Sequence, residues 1–284
     1  MPTAIVTDTC HYLPQELVRE WGIHEVSLYV HKDGVATREA DIADYDNYYH
    51  ELADLAKLPS TSQPSVGDFL AVYEPLIESG HDIISIHLSG GISGTVDSAQ
   101  QAREALGENA GRVHVLDSGS ACGAQGMIVL VAAKTVQRGG DFEAVVARTN
   151  ETREALRMWF AVDTLEYLKR GGRIGGAQAW LATALKIKPI LQIGEQIEPF
   201  ERVRTSKRAF ERLVSLLEEA RSQGYDGWAV QHIQAPVEAQ ALAQEGRRIF
   251  GRDPLLLSEI GPVIGTHVGP GLLGAGVIPT ALVS

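Results

Sequence analysis

Strand-like and helix-like segments alternate in the first half of the chain, and this alternation constrains the fold more than any other sequence feature. Residues 3–7, 82–88 and 112–116 have the length and apolar composition of buried strands. A helical stripe begins at Val66, with Ser65 as its predicted N-cap. Strands that alternate with helices predict parallel βαβ units, so a ligand is expected beyond the carboxyl ends of the strands.

The second half of the chain has a different pattern. Its strand-like segments are residues 158–162, 189–193, 196–204 and 228–233. The two middle segments are separated only by a short turn at Gly194-Glu195, which predicts a hairpin, and a helix is predicted after an N-cap at Thr205 or Ser206. Residues 164–169 also have a helical pattern. The sequence therefore predicts an α/β protein of two domains: an N-terminal domain with a parallel sheet over residues 1–155, and a C-terminal α+β domain over residues 156–284.

Composition and charge exclude several classes of function. The chain of 284 residues is 44% hydrophobic and has a formal net charge of −11. That charge repels phosphate backbones and anionic lipid surfaces, so nucleic acid is not an expected partner. No apolar run is long enough to span a membrane, and the first residues lack the pattern of a secretory signal, so a soluble cytoplasmic protein is expected. Cys10 and Cys122 do not have the spacing of metal ligands, and no metal site or cofactor is expected.

The glycine-rich turn at residues 89–95, SGGISGT, follows a predicted buried strand and opens a helix. A helix N-terminus with nearby hydroxyl groups suits an anion. An ordinary helix cap formed by Ser93 or Thr95 explains the same pattern, and both interpretations stay open at this point. The turn is neither a Walker A loop nor a nucleophile elbow, because Thr95 stands where the elbow needs a glycine.

Two further segments carry candidate ligand-binding side chains. Residues 61–65, TSQPS, form a hydroxyl-rich segment that is interpreted on its own as a loop ending in a helix cap. His267 lies among glycines, where it could approach a ligand closely and act as a hydrogen-bond donor.

Basic residues cluster at two places in this acidic chain. Arg170 and Arg173 flank Gly171-Gly172, and arginine beside flexible backbone can clamp a carboxylate or a phosphate. A second basic group could dock an acidic surface, although it could equally be a solvated face; it comprises Arg202, Arg204, Lys207 and Arg208.

Taken together, these motifs resemble the DegV family, which includes the fatty-acid-binding subunits of bacterial fatty acid kinase. The motifs that carry the resemblance are TDTC near the N-terminus, TSQPS, SGGISGT, DTLEYLKRGGRIG at residues 163–175, and GTHVGPG in the tail. Their order and spacing extend over essentially the whole chain, which makes the resemblance far more specific than any single motif.

The resemblance implies a two-domain fold with a long-chain fatty acid buried between the domains. It implies that Thr61 and Ser93 hold the carboxylate with His267 nearby, that Ser62, Gly94 and Thr95 belong to the same binding motifs, and that Arg173 lies at the mouth. In this family, basic residues corresponding to Arg202 and its neighbours Arg204, Lys207 and Arg208 contact a partner kinase. That kinase phosphorylates the carried acid to an acyl phosphate for phospholipid synthesis, so the chain itself is expected to be a carrier without catalytic residues.

Two alternatives stay open beside the carrier. One is a serine hydrolase that uses Ser93 with His267, although no carboxylate partner for the histidine is evident. The other is an interaction module that acts through the basic group at residues 202–208. The chain also departs from the family's usual pattern at Thr9-Cys10 and at Gly91, which leaves the preferred length of the fatty acid open.

Overall fold

The structure is a computed structural model, and it describes residues 1–54, 58–194 and 196–282. The strands are β1 (Thr3–Asp8), β2 (His24–Val26), β3 (Tyr29–Lys32), β4 (Val35–Arg38), β5 (Ser60–Ser62), β6 (Asp82–His87), β7 (Val113–Asp117), β8 (Arg157–Ala161), β9 (Lys188–Ile193), β10 (Ile197–Val203), β11 (Gly227–His232), β12 (Leu256–Glu259) and β13 (Leu273–Ile278). The α-helices are α1 (Gln15–Glu20), α2 (Tyr45–Asp54), α3 (Val66–Glu78), α4 (Thr95–Ala105), α5 (Cys122–Gln137), α6 (Phe142–Ala155), α7 (Glu166–Arg170), α8 (Ser206–Ser222), α9 (Pro236–Phe250) and α10 (Pro262–Val268). Short 3-10 helices lie at Thr9–His11, Glu39–Asp41, Gly107–Arg112, Gly175–Lys186 and Thr280–Leu282.

A parallel sheet of four strands organises the first half, in the order β2-β1-β6-β7. Along β1 and β6 nearly every residue is buried, as expected for parallel strands that are covered on both faces. Helix α1 connects β1 to β2 and α4 connects β6 to β7, which confirms the predicted βαβ units. Helix α3 begins with a capping box between Ser65 and Asp68, so the predicted N-cap is also confirmed.

A small antiparallel sheet in the order β4-β3-β5 was not predicted. The turn between β3 and β4 is formed by Asp33 and Gly34, which both have positive φ, at 51° and 81°. Strand β5 replaces part of the loop predicted at residues 61–65. The prediction was wrong there because β5 is held by pairing with β3, about thirty residues earlier, and not by any local pattern.

The second half contains a mixed sheet of six strands in the order β10-β9-β8-β13-β11-β12. Its pairings are antiparallel except that of β11 with β12. The hairpin of β9 and β10 is as predicted, while Glu195 in its turn lies outside the described residues. Thr205 is the N-cap of α8 and accepts a hydrogen bond from the Arg208 amide, as the sequence predicted.

Helix α5 lies between the two sheets and is buried from Cys122 to Ala133. It contacts both halves: the Gln125 amide donates to Thr7 of β1, and the backbone N–H of Gly123 donates to Gln231 of β11. A helix that is apolar on every side fits such a position. The boundary at residue 155 stays a prediction, although the parallel sheet ends before it and the mixed sheet begins after it. None of the described helices is long and apolar enough to cross a lipid bilayer.

Candidate functional site

A cavity of about 860 Å³, including its open mouth, lies between the two halves, and we call it the central cavity. Its wall is mainly aliphatic. The first half contributes Leu28, Leu88, Ile92, Ala121 and Cys122. The second half contributes Met158, Phe160, Leu168, Ile193, Ile197, Ile260, Val263, Ile264, Val268 and Leu272.

The polar part of the wall contains Gln63 and six residues that the sequence had singled out: Thr61, Ser62, Ser93, Gly94, Arg173 and His267. Thr95, also singled out, is fully buried and does not line the cavity. The lining residues come from β5 and its following loop, the turn before α4, the segment after α7, and α10. Residues far apart in the chain therefore form one polar patch on an otherwise apolar cavity. Such a combination suits a ligand with a long apolar body and a single polar head.

Thr61 and His267 are in direct contact across the two halves. The hydroxyl oxygen of Thr61 lies 2.7 Å from Nε2 of His267, although 206 positions separate the two residues in sequence. Pairing of β5 with β3 fixes the backbone of Thr61, and His267 lies in the last turn of α10. The contact thus exists only when both halves are assembled.

The imidazole of His267 is held in its neutral form. Burial, reinforced by the positive charge of Arg173, lowers the pKa of His267 to about 4. Its Nδ1 atom is buried and has no hydrogen-bond partner among the described residues. Because an unpaired N–H is costly to bury, we expect the proton on Nε2, where it is donated to Thr61. The hydroxyl proton of Thr61 then points to another acceptor, such as a ligand oxygen.

Gly171 packs against the same imidazole. A methyl group on Gly171 would overlap Nδ1 of His267, so this position needs a residue without a side chain. The guanidinium of Arg173 donates to the carbonyl of Gly171 at 2.8 Å, and Arg173 is itself exposed. Arg173 therefore lies on the open side of the central cavity, with its positive charge facing the polar patch.

The turn at residues 89–95 contributes hydroxyl groups and the start of α4. The hydroxyl oxygens of Ser93 and Thr95 are 2.8 Å apart, and Ser93 accepts a hydrogen bond from the Thr95 amide. The N-cap of α4 is Gly94, without a side-chain cap bond, so neither Ser93 nor Thr95 is the cap. The partial positive charge of this helix end is thus directed toward the polar patch, where Gly94 and Ser93 line the cavity.

Asp8 fixes the backbone immediately before the turn at residues 89–95. Its carboxylate accepts the Leu88 amide at 2.9 Å and lies 3.1 Å from Nδ1 of His87, and all of these groups are buried. Burial alone would raise the pKa of Asp8, but the hydrogen bond and charge of His87 keep it below the usual range. The second half of the TDTC motif, Thr9-Cys10, continues into the short helix Thr9–His11, which Asp8 caps.

Two loops meet at the polar patch through Gln63 and Gly94. A methyl group at Gly94 would lie 2.8 Å from the Gln63 amide nitrogen, so the glycine permits this close approach. The neighbouring Ser62 hydroxyl lies 2.8 Å from Nε2 of His31 on β3. The sequence did not single out Gln63, Ala121 or Cys122, and only the position of Gln63 inside the TSQPS motif could have indicated it.

The predicted basic group does not line the central cavity. Its four residues are exposed at the end of β10 and in the first turn of α8. The guanidinium of Arg202 lies over the ring of Trp180, 5.3 Å from its centre, while Lys207 and Arg208 both lie near Glu211. The structure thus separates these charges from the polar patch and presents them on the outer surface.

Within the residues that the structure describes, no group of three or more His, Cys, Asp or Glu side chains is arranged to hold a metal ion.

The hydrolase alternative requires that Ser93 and His267 act together. Ser93 bonds to Thr95 and His267 bonds to Thr61, so the two residues do not form the hydrogen bond that a nucleophile and its base require.

Comparison with known proteins adds independent information. A family model described as "Uncharacterised protein, DegV family" matches residues 2–280. Protein DegV of Bacillus subtilis is 39% identical over 277 residues, which cover 96% of this chain and 98% of that protein.

Solved structures give the same result. A DegV family protein from Thermus thermophilus, described by its fatty acid binding, superposes with a TM-score of 0.88 at 35% identity and covers 98% of this chain and 100% of its own. DegV from Bacillus subtilis, described as a fatty acid binding protein, superposes with a TM-score of 0.88 at 38% identity, covering 98% and 99%.

Proposed function

This chain belongs to the DegV family, and we propose that it is a carrier that binds one long-chain fatty acid in the central cavity and presents the carboxylate to a partner kinase. The observation that carries the proposal is the cavity itself: a long aliphatic wall that ends in one patch of hydroxyl and imidazole groups. Two similar solved structures, at 35% and 38% identity, are described as fatty acid binding.

The apolar wall accounts for affinity. Each methylene group moved from water into an apolar site contributes about 0.8 kcal/mol, so a chain of roughly 16 carbons has about 12 kcal/mol of gross transfer free energy. Ordering of the ligand reduces this value considerably. The tail therefore supplies the affinity, and the head group has only to be oriented.

The polar patch accounts for orientation. We assign Thr61 and Ser93 as donors to the carboxylate, with Ser62 and Gly94 completing the patch. His267 holds Thr61, and Thr95 supports the site from behind through its bonds to Ser93. Because His267 is neutral, the head is held by hydrogen bonds and the nearby helix end rather than by a buried ion pair. A carboxylate that is not locked into a salt bridge keeps an oxygen able to attack a phosphoryl group.

Residues at the mouth of the cavity and on the outer surface account for the proposed phosphoryl transfer from the kinase. Exposed Arg173 lies at the open side, where it would act on the phosphoryl transfer rather than on binding of the tail. The proposed docking surface for the kinase comprises Arg202, Arg204, Lys207 and Arg208. Lys207 and Arg208 lie in the first turn of α8, which contains no acidic residue. A positive charge at a helix N-terminus lowers the stability of the helix by about 0.3–1 kcal/mol. The presence of these two residues therefore favours a role for them other than folding.

Charge reversal in α8 tests this docking surface. We expect Arg208→Glu to weaken binding of a fatty acid kinase catalytic subunit at least about tenfold, because rim charges steer association. Arg221→Glu is the matched control: it makes the same change on the same helix, about 20 Å away by helical rise. Binding is measured by surface plasmon resonance at two salt concentrations. Equal affinities for Arg208→Glu, Arg221→Glu and the unmodified protein would remove the docking role.

The hydrolase alternative lacks support in the geometry. A general base must bond to the nucleophile and titrate near neutral pH, whereas His267 bonds to Thr61 and has its pKa lowered to about 4. A fluorophosphonate probe decides the question. Labelling of the unmodified protein that disappears in Ser93→Ala would support the hydrolase hypothesis. Absence of labelling in the unmodified protein would support the carrier hypothesis.

The carrier proposal is tested by native mass spectrometry of the purified protein, followed by solvent extraction and identification of lipids. We expect one fatty acid per chain and a mass that returns after addition of palmitate or oleate to stripped protein. A protein that is purified empty and refuses both acids would overturn the proposal. The chain length of the recovered acid would also show how long an acyl chain the central cavity accommodates.

A further inference from the structure

Glu39 is a buried carboxylate that lies outside the central cavity and yet contacts the helix that forms its wall. Only 2% of its surface is exposed. Its two oxygens accept hydrogen bonds from the Thr9 hydroxyl at 2.5 Å, the Tyr12 hydroxyl at 2.8 Å and the Val263 amide at 2.8 Å. Glu39, Thr9 and Tyr12 belong to the first half of the chain, whereas Val263 is the second residue of α10.

The start of α10 is thus held by groups of the first half. The Ile264 amide also donates to the Tyr12 hydroxyl, at 3.3 Å. The first amides of a helix have no partner within it, and a negative charge beside them is favourable. A methyl group at Gly261 would lie 2.9 Å from Glu39 and 2.7 Å from the ring of Tyr12, so this glycine lets the carboxylate reach the helix end.

Two tyrosines of α2 hold α10 and the segment just before it. The Tyr49 hydroxyl donates to the Ile260 carbonyl at 2.6 Å, and the Tyr48 hydroxyl lies 2.5 Å from the hydroxyl of Thr266. The opposite side of α10 presents Val263, Ile264, His267 and Val268 to the central cavity. One short helix therefore supplies part of the apolar wall and the histidine of the polar patch.

We infer that Glu39 is a positioning residue for the polar patch: it fixes the start of α10 and so keeps His267 buried and within hydrogen-bond distance of Thr61. Glu39 does not line the central cavity, so it acts through α10 and not on the ligand. The consequence for ligand affinity rests on the proposed function, whereas the consequence for His267 does not.

A carboxylate is suited to this place because it only accepts hydrogen bonds and has room for several donors. Three donors from two distant segments converge on Glu39: Thr9 and Tyr12 from the first half, and Val263 from α10. A hydroxyl or an amide side chain could not accept all three hydrogen bonds as fully. Loss of the side chain would leave the Val263 amide without its acceptor and the Tyr12 hydroxyl with the Ile264 amide as its remaining partner, which loosens the attachment of α10 to the first half.

The test uses Glu39→Ala and Glu39→Gln, with Glu25→Gln as the matched control. Glu25 is also a partly buried carboxylate; it bonds to His11 and Gln15 and makes no bond to α10. Nuclear magnetic resonance of the ligand-free protein gives the pKa of His267 and the exchange rate of the Val263 amide. Retention of the fold is checked by circular dichroism, and the affinity for palmitate is measured separately.

In Glu39→Ala we expect the His267 pKa to rise from about 4 toward 6.5, the Val263 amide to exchange faster, and the palmitate dissociation constant to increase about tenfold. Glu39→Gln keeps the shape and should change the first two quantities in the same direction but less. Glu25→Gln should leave both unchanged. If Glu39→Ala fails to fold, the His267 pKa and the Val263 exchange rate of Glu39→Gln decide whether the inference holds.

An unchanged His267 pKa and an unchanged Val263 exchange rate in the folded Glu39 variants would overturn the inference. The same shifts in Glu25→Gln would also overturn it, because they would reflect general loosening of the protein. Failure of the unmodified protein to bind palmitate would count against the proposed function alone, since the measurements on His267 and Val263 need no ligand.

Discussion

At the scale of single residues, the polar patch contains neutral hydrogen-bond donors, apart from Arg173 at its open side, although a charged partner is the obvious choice for the carboxylate of the proposed ligand. Thr61 is oriented by His267, and Ser93 by Thr95. An ion pair buried with the ligand would need the desolvation of two charges, which costs several kcal/mol for each. A hydroxyl donor carries no charge, so only the carboxylate of the ligand would have to be desolvated. The hydroxyl still defines the direction of a carboxylate head group.

Removal of the Thr61 hydroxyl should weaken ligand binding. We expect Thr61→Ala to raise the dissociation constant for palmitate about 10- to 100-fold, because a hydrogen bond to a charged group contributes about 1.5–3 kcal/mol. Thr61→Ser keeps the hydroxyl and serves as the control, with nearly unchanged affinity. Isothermal titration of stripped protein gives both constants. Equal weakening in the two variants would mean that the methyl group of Thr61, not its hydroxyl, matters.

The lowered pKa of His267 predicts a specific dependence of stability on pH. Above pH 6.5 the imidazole is neutral in both the folded and the unfolded chain. Between 6.5 and about 4 the unfolded chain binds a proton that the folded protein does not, so the free energy of unfolding falls as pH decreases, by up to about 3 kcal/mol.

His267→Gln should remove this part of the pH dependence, because glutamine does not titrate. Urea unfolding at pH 7 and pH 4.5 measures it in both proteins. His24, His114 and His232, whose pKa values are also lowered by burial, contribute equally to the two proteins and cancel in the comparison. An identical loss of stability on acidification in wild type and variant would show that His267 is not buried as described.

At the scale of elements, α2 and α10 pack at a distance that only glycine permits. A methyl group at Gly265 would overlap the hydroxyl of Tyr49, which donates to the carbonyl of Ile260 just before α10 and so holds the start of this helix against α2. The same packing gives α10 its position beside the central cavity. Gly265 of the tail motif GTHVGPG therefore serves contact between helices.

Substitution of Gly265 by alanine should separate these helices. We expect Gly265→Ala to lower the free energy of unfolding by about 1–3 kcal/mol, the usual range for overpacking. Gly67→Ala in α3 is the control, because a methyl group there meets only Ser65 at 3.6 Å, and alanine should stabilise that helix by up to about 1 kcal/mol. Chemical denaturation measures both. A stabilised Gly265→Ala protein would contradict the packing described.

The sequence predicted those elements whose cause is local. The buried strands β1 and β6, the N-cap at Ser65 and the N-cap at Thr205 each have a signal within a few residues, and all are confirmed. Strand β5 has no such signal, because its conformation depends on pairing with β3. Local pattern also failed to show that Gly94, rather than Ser93 or Thr95, caps α4.

The candidate site was predicted from motifs, but its geometry was not. Thr61, Ser93 and His267 were singled out, and the structure brings Thr61 and His267 into contact and gathers all three on one cavity. Glu39 carried no sequence signal at all, since an isolated glutamate is ordinarily a surface residue. Its burial follows from three donors that converge from distant segments, which only the folded chain reveals.

At the scale of the whole molecule, the two halves share one cavity and one buried helix. Helix α5 bonds to β1 on one side and to β11 on the other, and the cavity wall includes residues of both halves. A ligand in the central cavity therefore contacts both halves at once. Its binding free energy adds to the stability of their association and not to that of either half alone.

Binding of a fatty acid should raise the thermal stability of the stripped protein. At a free ligand concentration 100 times the dissociation constant, the gain is about 2.7 kcal/mol, or about 5–10 °C for a chain of this size. The methyl ester of the same acid is the matched control, because it keeps the tail and masks the carboxylate. Scanning calorimetry measures both ligands. An equal shift with acid and ester would show that the polar patch does not recognise the head group.

The bond between Thr61 and His267 also bears on how the protein is made. Its two partners are 206 positions apart, and the wall around them includes residues from both ends of the sequence. While a ribosome is still extending the chain, the parallel sheet can form, but the polar patch is incomplete until His267 has left the exit tunnel. Under the proposed function, a fatty acid can therefore be bound only after α10 has been synthesised and both halves have folded together.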